Sequence, residues 1–230
     1  MKKVALILLV FLTTISQAQE LKQIPSINVT GEGKIKTTPD QASISISLET
    51  KGTVANDVKK ENDIKMDAVI KFIKKANIAK EDYQTLRVSL NPNYDYDKKK
   101  HNYLASQTIQ ILLKDLSKYD NLMSGLVELG VNKIDNVEFK SSKFVQLQSE
   151  ARKLAIKDAK VKAEDFVSEL GQKVGKAIII SDNSQNYTPQ PRYAMMKSMA
   201  VSSDEAAPRE TLAEGEIEIT VNVNVSFILD

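Results

Sequence analysis

The sequence predicts an α+β protein in which long antiparallel strands form a sheet covered by helices, with a ferredoxin-like split βαβ layer and a long Ala-rich helix. Three observations carry this reading. From Glu214 to Leu229, Ile217, Ile219, Val221, Val223, Val225, Phe227 and Leu229 hold the odd positions. Glu216, Glu218, Thr220, Asn222, Asn224 and Ser226 hold the even ones. This is the period of two of a half-buried strand, and it outruns the usual strand of about 5–6 residues, so it must pair with other long strands. Residues 42–140 read strand, helix, strand, strand, helix, strand, the order of a split βαβ layer. Finally, Ala151, Ala155, Ala159 and Ala163 recur at every fourth position of a long helical stretch.

Taken in order, the chain opens with Met1-Lys2-Lys3, an apolar run from Val4 to Leu12, and Ser16-Gln17-Ala18 with small residues placed for a cut. This is the pattern of a secretory signal removed near Ala18, leaving residues 19–230 as one exported domain. The run is too short for a membrane span of about 20 residues; an uncleaved anchor is the competing reading. Loss of Lys2 and Lys3 takes the formal charge from +2 to neutral. A neutral chain lacks the cationic surplus that tracks phosphates, so nucleic acid is not an expected partner. Without cysteine, and with His101 as the single histidine, thiol chemistry is excluded and zinc, haem and Ser-His-Asp sites lack raw material.

Ile27, Val29 and Ile35 alternate with polar residues through Gly31-Glu32-Gly33, and Thr38-Pro39-Asp40 separates this strand from Ala42, Ile44, Ile46 and Leu48 in the next. The glycine pair is no dinucleotide fingerprint, since Lys36 holds the third position and no helix follows; it marks a bulge or a close backbone approach. Between Thr53 and Ala76, Val54, Val58, Val69, Ile73 and Ala76 fall at helical spacing, with Phe72 beside them. Asn62 lies on or beside that stripe and is read as its solvated edge.

Leu86, Val88 and Leu90, then Tyr103, Ala105, Ile109, Ile111 and Leu113, predict a long β-hairpin whose charged tip includes Asp95, Asp97 and Lys98 to Lys100. The two aspartates have the spacing of a calcium loop's start without its glycine or distal Glu, so a solvated turn is expected. Asp115 or Ser117 caps a helix through Leu122, Met123, Leu126, Val127 and Leu129, which Gly130 ends, before a short strand at Ile134, Val137 and Phe139.

The Ala-rich helix spans about 145–170. Small residues in a row admit a neighbouring backbone, either the protein's own sheet, the preferred reading, or a second subunit. Ala177-Ile178-Ile179-Ile180 predicts a strand buried on both faces. Residues 182–213, rich in Asn, Ser, Gln, Pro and Ala, predict a long loop or flap, and its Met195, Met196 and Met199 are read as packing or oxidisable residues rather than a copper(I) site.

Val29-Thr30-Gly31-Glu32-Gly33 with Pro39-Asp40-Gln41-Ala42, Tyr103-x-Ala105-Ser106-Gln107, Leu129-Gly130-Val131-Asn132 before Val137-Glu138-Phe139, Leu170-Gly171 and Gly215 together resemble the SIMPL-domain family of bacterial exported proteins. The resemblance covers essentially the whole mature chain. It implies an α+β periplasmic or envelope protein, not known as an enzyme, associated with stress defence and prone to form large hollow oligomers. No catalytic residues come with it, and the Lys98 to Lys100 tip departs from the family pattern. The expected function is therefore a non-enzymatic envelope protein that self-assembles and contributes to oxidative stress tolerance. Its expected partners are copies of itself, with peripheral envelope association and no cofactor, metal or nucleic acid. The alternative is a small-ligand or metal-binding module that uses the 182–213 flap; a hydrolase is the weakest reading, because no spacing selects a nucleophile.

Overall fold

The computed structural model describes residues 24–96, 99–183, 191–192 and 212–230. The expected signal segment 1–18, most of the 182–213 loop with its methionines, and the tip residues Asp97 and Lys98 lie outside the described residues.

The chain builds two antiparallel sheets, each covered on one face by helix. In the first, β2 (Gln41–Gly52), α1 (Ala55–Lys75), β3 (Tyr83–Asp95), β4 (Lys100–Leu113), α2 (Tyr119–Glu128) and β5 (Lys133–Lys140) follow in sequence, and the strands lie in the order β3-β4-β2-β5. All three pairings are antiparallel, as the split βαβ pattern requires. Ile44, Ile46 and Leu48 of β2 and Ile109 and Ile111 of β4 meet Met66, Val69 and Ile73 of α1 and Leu126 of α2 in one core. Each of these aliphatic side chains contributes about 1.5–3 kcal/mol when fully buried.

The second sheet joins the two ends of the described chain. β1 (Ser26–Thr37) pairs along its whole length with β8 (Glu216–Leu229), whose other side takes β6 (Val174–Asp182) and the two-residue β7 (Pro191–Arg192). Over β1 and β8 lies α3 (Phe144–Ser168), and its four stripe alanines are completely buried against Val29, Val221, Val223 and Val225. The stripe therefore faces the protein's own sheet. Gly31 and Gly33 explain how closely: a Cβ on either would come within 2.0 Å of the Ala155 or Ala151 carbonyl oxygen. Backbone approach, not a bulge, fixes both glycines.

Gly130, at φ +98°, closes α2 while the Val131 N–H returns to the Leu126 carbonyl at 3.1 Å. The Pro turn between β1 and β2 carries the chain from one sheet to the other. Asp40 pins this crossing: its carboxylate accepts hydrogen bonds from the N–H and hydroxyl of Ser142, in the segment that makes the return crossing from β5 to α3.

Several expectations change. Asn62 is buried, at 1% exposure, rather than a solvated edge, because it sits between Val58 and Met66 on the inward stripe of α1. Val54 precedes that helix and is exposed. The Ala177–Ile180 run is not buried on both faces: Ile178, Ile179 and Ile180 are 44%, 58% and 60% exposed, since α3 lies across β1 and β8 and β6 is an edge. Glu218, at an outward position of β8, is buried. The stretch read as loop from Asp182 begins as the end of β6 and includes β7.

Candidate functional site

Sheet edges offer unpaired N–H and C=O groups, so how each is protected shows where another chain can add. Along β1 the helix closes the edge. The Glu32 N–H donates to Asp158 at 2.8 Å, and the Thr30 carbonyl accepts from the Lys162 ammonium at 3.1 Å. The hydrogen bonds from Lys162, at 2.6 Å, and from Glu32 hold the Asp158 carboxyl below the usual carboxylate range. In the other sheet, β3 carries Pro92 and a bulge between Thr85 and Arg87, and β5 carries a bulge and the charged Lys133 and Lys140. β6 also carries irregularities, between Val174 and Ala177 and between Ala177 and Ile179, and the charged Lys176, but it has neither proline nor helix over it and presents Ile178, Ile179 and Ile180 to solvent. It is the edge with three consecutive exposed isoleucines, and its end is fixed by an Arg152–Asp182 ion pair at 2.9 Å.

The bulge in β5 turns Asp135 across β2. The Ser47 hydroxyl donates to Asp135 at 2.5 Å and lies 2.7 Å from the Thr108 hydroxyl, and Lys133 pairs with Asp135 at 3.1 Å. Burial pushes the Asp135 carboxyl up, but the hydrogen bonds from Ser47 and Lys133 outweigh it and leave the group below its ordinary range. A Ser, an Asp and a Lys together suggest hydrolytic chemistry, yet Ser47 is only 2% exposed and its hydroxyl is spent between two strands. Ser47, with Thr108 on one side and Asp135 on the other, ties β4, β2 and β5 together. Sequence reading missed it because a bulge, which no local pattern announces, places Asp135.

A cavity of about 350 Å³ opens where the end of α1 approaches the start of α2. Phe72, Ile78, Leu113 and Leu122 form its apolar wall, and Phe72 is held against Gly125, where an added Cβ would come within 2.2 Å of the ring. At the mouth, Lys114 pairs with Asp82 at 2.7 Å and Lys118 with Asp115 at 3.3 Å. Sequence alone gave no sign of this space, whose walls come from three separated segments.

His101, the lone histidine, lies on β4 with its ring centroid 4.9 Å from that of Tyr94, near the hairpin tip. Asp95 ends β3, while its expected companion Asp97 lies outside the described residues. Among the described residues, no group of three or more His, Cys, Asp or Glu side chains is placed to hold a metal ion. No described helix is long and apolar enough to cross a membrane.

Comparison with known proteins gives a consistent result. The family model SIMPL, described as a protein of unknown function (DUF541), matches residues 27–227. The chain is 29% identical over 218 residues to the uncharacterized protein YggE of Escherichia coli K12, covering 94% of this chain and 87% of that protein. It is 28% identical over 227 residues to the 26 kDa periplasmic immunogenic protein of Brucella melitensis, covering 94% and 90%. YggE of Edwardsiella ictaluri is 25% identical over 217 residues, covering 93% and 90%.

Proposed function

This chain belongs to the SIMPL family, and from that premise we propose that it is an exported, periplasmic envelope protein that acts without catalysis, by self-assembly through the open edge of β6, and contributes to stress tolerance. The apolar β6 edge carries the reading. Among the described residues, it presents three consecutive exposed isoleucines beside an outer ladder that neither helix nor proline covers. Pairing with another copy covers both the apolar side chains and the unpaired backbone. The N-terminal Lys2-Lys3 and apolar run support export, as does the periplasmic name of the Brucella relative. Stress tolerance rests on the family resemblance.

The full-length gene product, recovered after export and passed over a sizing column with light scattering, is expected to elute as one discrete multimer. A monomer at every concentration would count against assembly. Peripheral contact with the envelope follows if the multimer sediments with membranes and is released by salt.

A further inference from the structure

We propose that the cavity between the end of α1 and the start of α2 binds a small anionic amphiphile, an apolar chain of medium length ending in one carboxylate. This goes beyond the assembly reading and does not depend on it. The volume of about 350 Å³ lies at the low end of ordinary ligand pockets, about 300–1,000 Å³, and suits a body of roughly eight to twelve non-hydrogen atoms. Phe72, Ile78, Leu113 and Leu122 provide an apolar wall for that body, and Gly125 lets the tip of the Phe72 ring reach α2.

The mouth decides the head group. Asp115 is fully engaged: one carboxylate oxygen accepts from the Ser117 N–H at 3.2 Å and hydroxyl at 2.6 Å, and the other takes Lys118. Asp82, its side chain only 9% exposed, is committed to Lys114. The two ion pairs cancel in charge, and what an anionic head would meet is the N–H groups that they leave over. Each lysine ammonium has three N–H groups and one carboxylate partner, and the side-chain amides of Asn77 and Asn121 bond no described residue. Asp82 also positions Lys114, so its ammonium is set at the rim before any ligand arrives. Such a rim favours an acceptor-only anionic head over an ammonium or a hydroxyl.

Isothermal titration of the exported protein with octanoate, octylamine and octanol tests this. Octanoate is expected to bind with a measurable constant, and the other two at least about fivefold more weakly. Lys118→Ala combined with Asn121→Ala, both exposed positions that leave the Asp82–Lys114 pair intact, should weaken octanoate by about tenfold with an unchanged melting temperature. Ala76→Leu fills the cavity from its lining and should abolish binding. Absence of octanoate binding at millimolar concentration, octylamine binding as tightly, or undiminished binding by a folded Ala76→Leu variant would each overturn the proposal. None of these outcomes bears on the oligomer's mass, so failure here is distinguishable from failure of the assembly reading.

Discussion

Two side chains and one missing side chain show how single residues set this fold. Asn62 donates through one amide nitrogen to the Leu48 carbonyl at 3.0 Å, the Thr50 hydroxyl at 3.2 Å and the Ala105 carbonyl at 3.4 Å, tying α1 to β2 and β4. Asn62→Ala takes a donor from those acceptors, and chemical denaturation should show a loss of about 1–3 kcal/mol; an unaltered midpoint would mean that removing the Asn62 amide oxygen, which is buried without a partner, offsets the lost bonds. Asn132 acts as a strand residue in miniature: its side chain accepts from the Glu49 N–H at 2.9 Å and donates to the Glu49 carbonyl at 2.8 Å. Gly33 matters for what it lacks. Gly33→Ala would drive a methyl into the Ala151 carbonyl, and overpacking at that level should cost about 3 kcal/mol or prevent folding. A Gly33→Ala protein as stable as the wild type would contradict the close β1–α3 approach. The sequence pattern leaves Gly33 as either a bulge or a close backbone approach and cannot name the helix. Asn62 was misread because its acceptors lie on strands distant in the chain, although its spacing from Val58 and Met66 put it on the inward stripe.

At the scale of elements, what was legible followed from period. The alternation of β8, the split βαβ order and the alanine repeat of α3 each appear in the structure as read, because a buried face imposes its own spacing on the residues that fill it. What was not legible was coverage. An isoleucine run reads alike whether a helix lies over it or not, and α3, drawn to β1 by the glycines and to β8 by its valines, leaves β6 bare. The same helix seals the β1 edge through Asp158 and Lys162. Asp158 provides a pH test of that seal. Its folded-state pKa is depressed, so its contribution is present at neutral pH and is lost as pH falls below the ordinary carboxylate value of about 3.9. Melting temperatures of wild type and Asp158→Ala should therefore differ at pH 7 and converge below about pH 4. A difference that persists at low pH would assign the effect to packing instead of charge.

The whole molecule consists of two separate hydrophobic cores joined by paired crossings at Asp40 and Ser142. One core closes a ferredoxin-like layer whose edges carry proline, bulges and charge; the other is an alanine-lined sheet with one edge sealed and one open. That asymmetry supports the proposed assembly: among the described residues, the isoleucines of β6, which neither helix nor proline covers, offer a place for another copy to add. The most direct test replaces Ile179 and Ile180 together by lysine, putting charge on both faces of the open edge without touching either core. Light scattering of the exported protein should show a discrete multimer for the wild type and a monomer for the double variant, with far-UV circular dichroism and the melting of the dissociated protomer unchanged. A wild-type monomer, or a double variant whose multimer is the same mass as the wild type's, would contradict assembly through β6.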